Sequence, residues 1–149
     1  MTTQTHGKVV PLVGSGAVGP LGVAHLPRLW LKLTLAGMGA LPDGYDECGP
    51  GFDGMTLAAL GLDRQKTIDF VRQHKPTYMA FEEWVEANGA IDKAAIEKHN
   101  AAVHGYHHSD EHGSEMRRAA KIKNAAIKDA VTLNLVEDLD EFHRHVVAP

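Results

Sequence analysis

His25-Leu26-Pro27-Arg28-Leu29-Trp30-Leu31-Lys32-Leu33-Thr34-Leu35-Ala36-Gly37-Met38 is the stretch whose reading decides the fold. Proline is favoured at the first position of a helix, where its missing N–H would be unpaired anyway, so Pro27 marks a helix start. Leu26, Leu29, Trp30, Leu33, Gly37 and Leu41 recur at helical spacing, and Leu31, Leu35 and Met38 make much of the other side apolar too. A helix apolar nearly all round belongs in an interior. What remains is a polar stripe, His25, Arg28 and Lys32, spaced three and then four apart and so on one face. Two fixed cations and a histidine beside the free N–H groups of a positive helix end suit a carboxylate or phosphate. The plain alternative is that Arg28 and Lys32 pair with Asp or Glu from another element.

Downstream, Leu41-Pro42-Asp43-Gly44 is a turn by composition. Residues 45–54 follow as a glycine-bound loop that carries Tyr45, Asp46, Glu47, Cys48 and Asp53. A short helix is expected over 55–60, stopped by Gly61. Asp63, Thr77 and Asp92 are the expected N-caps of three further helices, the last containing Ile96, His99, Asn100 and Val103. Ser109 should cap a long helix that keeps its period through Met116, Ala119, Ala120, Lys123, Ile127, Ala130 and Val131. Arg117, Arg118, Lys121 and Lys128 would form its solvated face. Over residues 131–147 the pattern is mixed. Val131, Leu133 and Leu135 alternate like a strand, and Asp138-Leu139-Asp140-Glu141 has the form of a capping box opening a short final helix.

Upstream, Val9-Val10-Pro11-Leu12-Val13 runs into Gly14-Ser15-Gly16-Ala17-Val18-Gly19, on its face a Gly-x-Gly-x-x-Gly dinucleotide fingerprint. Three features argue against it. Pro11 would remove a ladder hydrogen bond from the central strand. Pro20 and Gly22 interrupt the helix that should receive the pyrophosphate. No alternation of strands and helices follows to build a parallel sheet. The expectation is an all-α protein with a flexible, Gly-rich N-terminal arm over residues 1–20 and a single compact domain over 21–149, built from six to eight short helices.

With 149 residues, one domain that buries a core without staples is the default. A net charge of −4 argues against a general nucleic-acid binder, which needs a basic face. No apolar run approaches the roughly 18 residues of a membrane span, and no secretory leader pattern is present. A cytoplasmic, membrane-free protein is therefore expected. The lone cysteine, Cys48, excludes an internal disulfide.

The run Gly22-Val23-Ala24-His25-Leu26-Pro27-Arg28, followed by Leu33, Ala36-Gly37 and Leu41-Pro42-Asp43-Gly44-Tyr45, resembles the opening of a bacterial family of domains of unknown function, the DUF family numbered 5069. Gly51-Phe52-Asp53-Gly54, then Leu60-Gly61-Leu62-Asp63, is similar to its next block. Asn100 and residues 135–141 are similar to later ones. The resemblance covers most of the chain from about residue 20. It implies a small, mostly helical, soluble bacterial protein and no particular activity. The chain departs from that pattern in its His-rich segment 104–112 and in closing on Phe142-His143.

Three functions suit these residues. The leading one is a small cofactor-independent enzyme doing acid/base chemistry, an elimination, isomerisation or hydrolysis, on a small anionic molecule. His25 titrates near neutral pH and can move a proton. Asp53 or Asp46 can do so if burial raises its pKa; the plain alternative is that Asp53 only caps the 55–60 helix. Tyr45 can donate to a developing oxyanion, and Arg28 can clamp a carboxylate bidentately. Lys32 and Cys48 would help bind the substrate. Cys48 becomes a nucleophile only if a neighbour such as Arg28 lowers its pKa, and is otherwise a small buried hydrophobe.

The second function is a metal-dependent enzyme or metal-binding protein. His104, His108 and His112, four apart, would share a face of one continuous helix and supply three ligands to a transition metal such as zinc. Gly105, Ser109 and Gly113 argue that the helix is broken there, leaving a polar connection. The third is a non-enzymatic helical interaction module, which an apolar helix set with Trp30 and Trp84 fits, with a homo-oligomer left open. His99, on the inward face of its helix, reads as a satisfied core histidine.

Overall fold

Five of the helices in the chain start where a short polar side chain folds back on a free backbone N–H. In the computed structural model, which describes residues 7–147, Asp63 accepts from Lys66 N, Thr77 from Ala80 N, Asp92 from Ala94 N, Ser109 from His112 N and Asp129 from Thr132 N. Each such cap stabilises its helix by about 1 kcal/mol. The helices they open are α3 (Arg64–His74), α4 (Tyr78–Asn88), α5 (Lys93–Gly105), α6 (Asp110–Ala120) and α7 (Ala130–Val146). The two that precede them, α1 (Leu26–Gly37) and α2 (Phe52–Ala59), have no side-chain cap. Among the described residues there is no strand, only an isolated antiparallel bridge between His107 and Asp129. The protein is all-α, one domain of seven described helices. None of them is long and apolar enough to cross a membrane.

Helix α1 is central. It packs on α2, α3 and α4, while α5 joins α2 to α7 and α6 lies on α7. Leu26, Leu29 and Leu33 of α1 meet Leu57, Leu60, Ile68, Val71, Phe81 and Val85 in the core. Phe70 and Trp84 stack at 4.7 Å on its edge. His99 is buried and bonds the Ala24 carbonyl at 2.9 Å and Thr56 Oγ1 at 3.2 Å, a satisfied core histidine. Asn100 accepts from Ala24 N and donates to Gly22 O, so α5 holds the chain leading into α1.

Three element boundaries differ from those expected. Helix α2 begins at Phe52, so Asp53 sits in its first turn instead of capping a helix from residue 55. The long helix expected from Ser109 stops at Ala120, where Lys121 turns left-handed at φ 60°. Asn124 then accepts from Ala126 N, and Asp129 opens a new helix. Asn and Asp side chains offer the backbone these local bonds in place of helical ones. Arg117, placed on a solvated face by periodicity, instead donates to the Ile127 carbonyl and ties α6 to the connection. Finally, residues 130–146 form one helix. Asp138 lies in its interior, neither in a strand nor in a capping box.

Of the N-terminal arm expected over 1–20, residues 1–6 lie outside the described residues, and residues 7–20 lie against the helices with a turn at 14–17. Val9 N–H donates to Ala40 O, and Val10, Pro11 and Ser15 are buried. The close approach is tightest at Gly19, where an added Cβ would lie 2.5 Å from Glu82 Oε2 and 2.6 Å from Tyr78. Glu82 is buried, accepts from the Tyr78 hydroxyl at 2.6 Å and from Leu21 N–H at 3.1 Å, and has little room to yield. Gly19→Ala is therefore expected to destabilise by about 1–3 kcal/mol through overpacking, read as a lower urea midpoint at unchanged slope. An unchanged midpoint would mean that Tyr78 and Glu82 shift freely.

Candidate functional site

The uncapped N-termini of α1 and α2 meet at one cavity of about 470 Å³. His25, Arg28, Lys32, Tyr45 and Asp53, five of the residues singled out from the sequence, all line it. His25 is the N-cap residue of α1 and holds a left-handed backbone, φ 73°. That region is uncommon for any residue but glycine, although histidine tolerates it better than most. Its N–H donates to Ala17 O at 3.2 Å, which pins the turn at residues 14–17 beside it.

His25 is 2% exposed, and both its ring nitrogens are engaged. Nε2 lies 2.6 Å from Asp53 Oδ1, and Nδ1 lies 3.0 Å from Ser15 Oγ. Asp53 Oδ2 also accepts from Lys32 Nζ at 2.5 Å and from Gly49 N at 2.8 Å. Burial lowers the His25 pKa, outweighing the upward pull of Asp53. For Asp53, burial pushes upward, but the His25 hydrogen bond and the Lys32 charge outweigh it, so its pKa is lowered. Near neutral pH the pair is thus an Asp53 carboxylate and a neutral imidazole. The carboxylate takes the Nε2–H, which leaves the lone pair on Nδ1 facing the Ser15 hydroxyl.

Neither expected anion clamp carries free charge. Arg28 donates twice to Asp138, at 2.8 and 3.2 Å, and to the carbonyls of Pro11 and Val13. Lys32 pairs with Asp53, and Arg144, also in the lining, pairs with Glu141. The lining carries Asp43, Asp46, Asp53, Glu137 and Glu141 against these three cations. The pairing alternative, weighed beside anion binding, is the one the geometry follows. Tyr45 donates its hydroxyl hydrogen to Asp138 Oδ1 at 2.9 Å. Burial, with the Asp138 charge, pushes the phenol pKa up, so Tyr45 stays protonated.

Cys48 is not brought into this group. It is buried and faces a separate concavity with Leu57, Ala58, Leu62 and Arg64. Burial and the nearby Asp53 charge push its thiol pKa up, the reverse of what a nucleophilic cysteine needs. The histidines expected as metal ligands lie on three elements. His104 is in the last turn of α5, beside Gly16, His108 is in the connection, and His112 is in α6. His108 Nε2 bonds Asn134 Oδ1 at 2.9 Å, and its ring packs edge-on to that of His112. Among the described residues no three His, Cys, Asp or Glu side chains come together as a metal-binding group.

Ser15 and Asp138 belong to the site and were not anticipated. Asp138 projects from the polar stripe Asn134, Glu137, Asp138 and Glu141 of α7, a stripe visible in the sequence once 130–146 is taken as one helix. Beside the polar cavity lies a more apolar recess of about 370 Å³ lined by Phe52, Met55, Tyr106 and His108. The two share Pro50, Gly51, Phe52 and Asn134. No protein-family model matches the chain, and neither does any curated protein.

Proposed function

We propose that the chain is a small enzyme doing acid/base chemistry with its own side chains, in which His25 is the base and Asp53 fixes its tautomer. The observation that carries this reading is the 2.6 Å Asp53–His25 contact on the wall of an open cavity, with Nδ1 left as the proton acceptor. A general base must be unprotonated at the working pH and needs a partner that orients it. The lowered His25 pKa and the Asp53 carboxylate meet both needs. Of the reactions expected, hydrolysis suits the site best, because the base faces a hydroxyl. The paired cations and the acidic lining favour a substrate whose reacting end is neutral over the anionic molecule first expected. Membership of the bacterial family noted above, and a cytoplasmic setting, stay part of this reading.

The test is a turnover screen by NMR of small esters, lactones and hydroxy acids, with wild type and His25→Gln. At least one compound is expected to be consumed by wild type and spared by the variant. Turnover indifferent to His25→Gln, or none at all, would remove the reading. The pH profile has a defined sign. The ordinary histidine value is 6.5 and His25 lies below it, so the rate is expected to be level at neutral pH. It should fall, with a one-proton slope, only on acidification below that value. A rate that climbs through pH 7 would point to another base.

An interaction module is a second reading, favoured by α7. Leu135, Leu139, Phe142 and Val146 are exposed and spaced four, three and four apart, the spacing of a helix–helix seam. In this reading Leu139→Glu changes the sedimentation coefficient of the native protein. A coefficient unaltered by the substitution and equal to that of a monomer would dismiss self-association through this face.

A further inference from the structure

Ser15 is 2% exposed, yet it lines the cavity, and its hydroxyl is the hydrogen-bond donor to His25 Nδ1. The donor role follows from the other side of the ring. Asp53 accepts the Nε2–H, so Nδ1 has no hydrogen to give. Ser15, His25 and Asp53 therefore form a serine–histidine–aspartate relay, with the two ring nitrogens exchanged relative to the serine proteases. A buried serine is more often a satisfied structural hydroxyl, and one observation speaks against that here. The relay opens on a cavity instead of packing into the core.

We propose that Ser15 is a nucleophile toward neutral carboxylic esters whose apolar group sits in the Phe52–Met55–Tyr106 recess. The proposal rests on the general-base role of His25 given above. Ser15 Oγ attacks the ester carbonyl carbon and its proton passes to His25 Nδ1. The carbonyl π pair moves onto oxygen. When the carbonyl re-forms, the bond to the alkoxide breaks. The alkoxide takes the proton from Nδ1 and leaves as the alcohol. Water, deprotonated by the same nitrogen, then attacks the Ser15 ester and releases the acid, restoring the hydroxyl. No oxidant, reductant or co-reactant besides water is required.

The experiment uses diisopropyl fluorophosphate on the full chain. Attack by Ser15 Oγ forms a P–O bond and breaks the P–F bond, and the proton leaves with fluoride by way of His25. One diisopropylphosphoryl group per chain is expected, mapped to Ser15 by tandem mass spectrometry of the wild-type protein. It should be absent in Ser15→Ala and slower by about 100-fold or more in His25→Gln. Hydrolysis of 4-nitrophenyl butyrate is expected to outpace that of the acetate, and Met55→Asp to erase that preference. Labelling at another residue, or hydrolysis undiminished in Ser15→Ala, overturns the proposal. Turnover that survives Ser15→Ala but is lost in His25→Gln removes the nucleophile and leaves the general base standing. Absence of both labelling and His25-dependent turnover removes the two together.

Discussion

Replacing Asp138 by alanine is expected to cost about 3–5 kcal/mol of folding stability. Asp138 is 2% exposed, in the middle of α7, and accepts from two Arg28 nitrogens and from the Tyr45 hydroxyl. Without it, the Arg28 guanidinium is left in a protein interior with only the Pro11 and Val13 carbonyls as partners. Lysine in that position could shed its proton, but arginine stays charged at any accessible pH. The cost is thus the desolvation of a fixed charge, and raising the pH gives no relief. For a chain of this length the melting temperature should fall on the order of 10 °C. Arg28→Leu combined with Asp138→Leu removes both charges, and the double variant is expected to be more stable than Asp138→Ala alone. Chemical denaturation of the single and double variants measures the coupling. A loss under about 1 kcal/mol for Asp138→Ala, the range of a surface ion pair, would show that water reaches Arg28. The guanidinium would then again be a candidate for binding an anion.

The Arg28–Asp138 pair also marks how far sequence reasoning reached. The apolar surround of α1 and the polar spacing of His25, Arg28 and Lys32 are local periodicities, and the helix displays them as its pitch dictates. The caps at Asp63, Thr77, Asp92 and Ser109 are local too, because each side chain bonds an N–H within three residues. The polar stripe of α7 was equally local, but the alternation of Val131, Leu133 and Leu135, with the acidic run after them, concealed that one helix spans the segment. Reading the segment in two pieces separated Asn134 from Asp138 and hid the partner of Arg28. Other features have no local signature. Ser15 meets His25 because His25 N–H bonds Ala17 O and because Asn100, 78 residues after Gly22, holds the intervening turn. A glycine-flanked serine in a discarded nucleotide motif says nothing of this. Nor does any pattern announce that His25 will adopt a positive φ.

Under the proposed esterase reading, Asp53→Asn is expected to slow ester hydrolysis on the order of 10⁴-fold, the scale seen when a relay aspartate becomes an amide. The reason lies in the donors that surround the carboxylate. Oδ2 receives hydrogen bonds from Lys32 Nζ and Gly49 N, while Oδ1 receives one from His25 Nε2. An asparagine has one carbonyl oxygen, and it serves the two donors on the Oδ2 side best. Its NH₂ group then faces Nε2, which must become an acceptor. The imidazole hydrogen moves to Nδ1 and points at Ser15, so the nitrogen that should take a proton already holds one. Shape and volume barely change, and the effect is one of tautomer. Nitrogen-15 shifts of the His25 ring read it without a substrate, with unprotonated Nδ1 expected in wild type and unprotonated Nε2 in Asp53→Asn. Lys32, 7% exposed, also loses its counter-charge, and the variant should be less stable for that separate reason. Adding Lys32→Met is expected to return part of the stability and none of the rate, which separates the two roles of one aspartate. If Asp53→Asn kept the wild-type tautomer and rate, Asp53 would be a counter-ion for Lys32 alone, and His25 would need another residue to orient it.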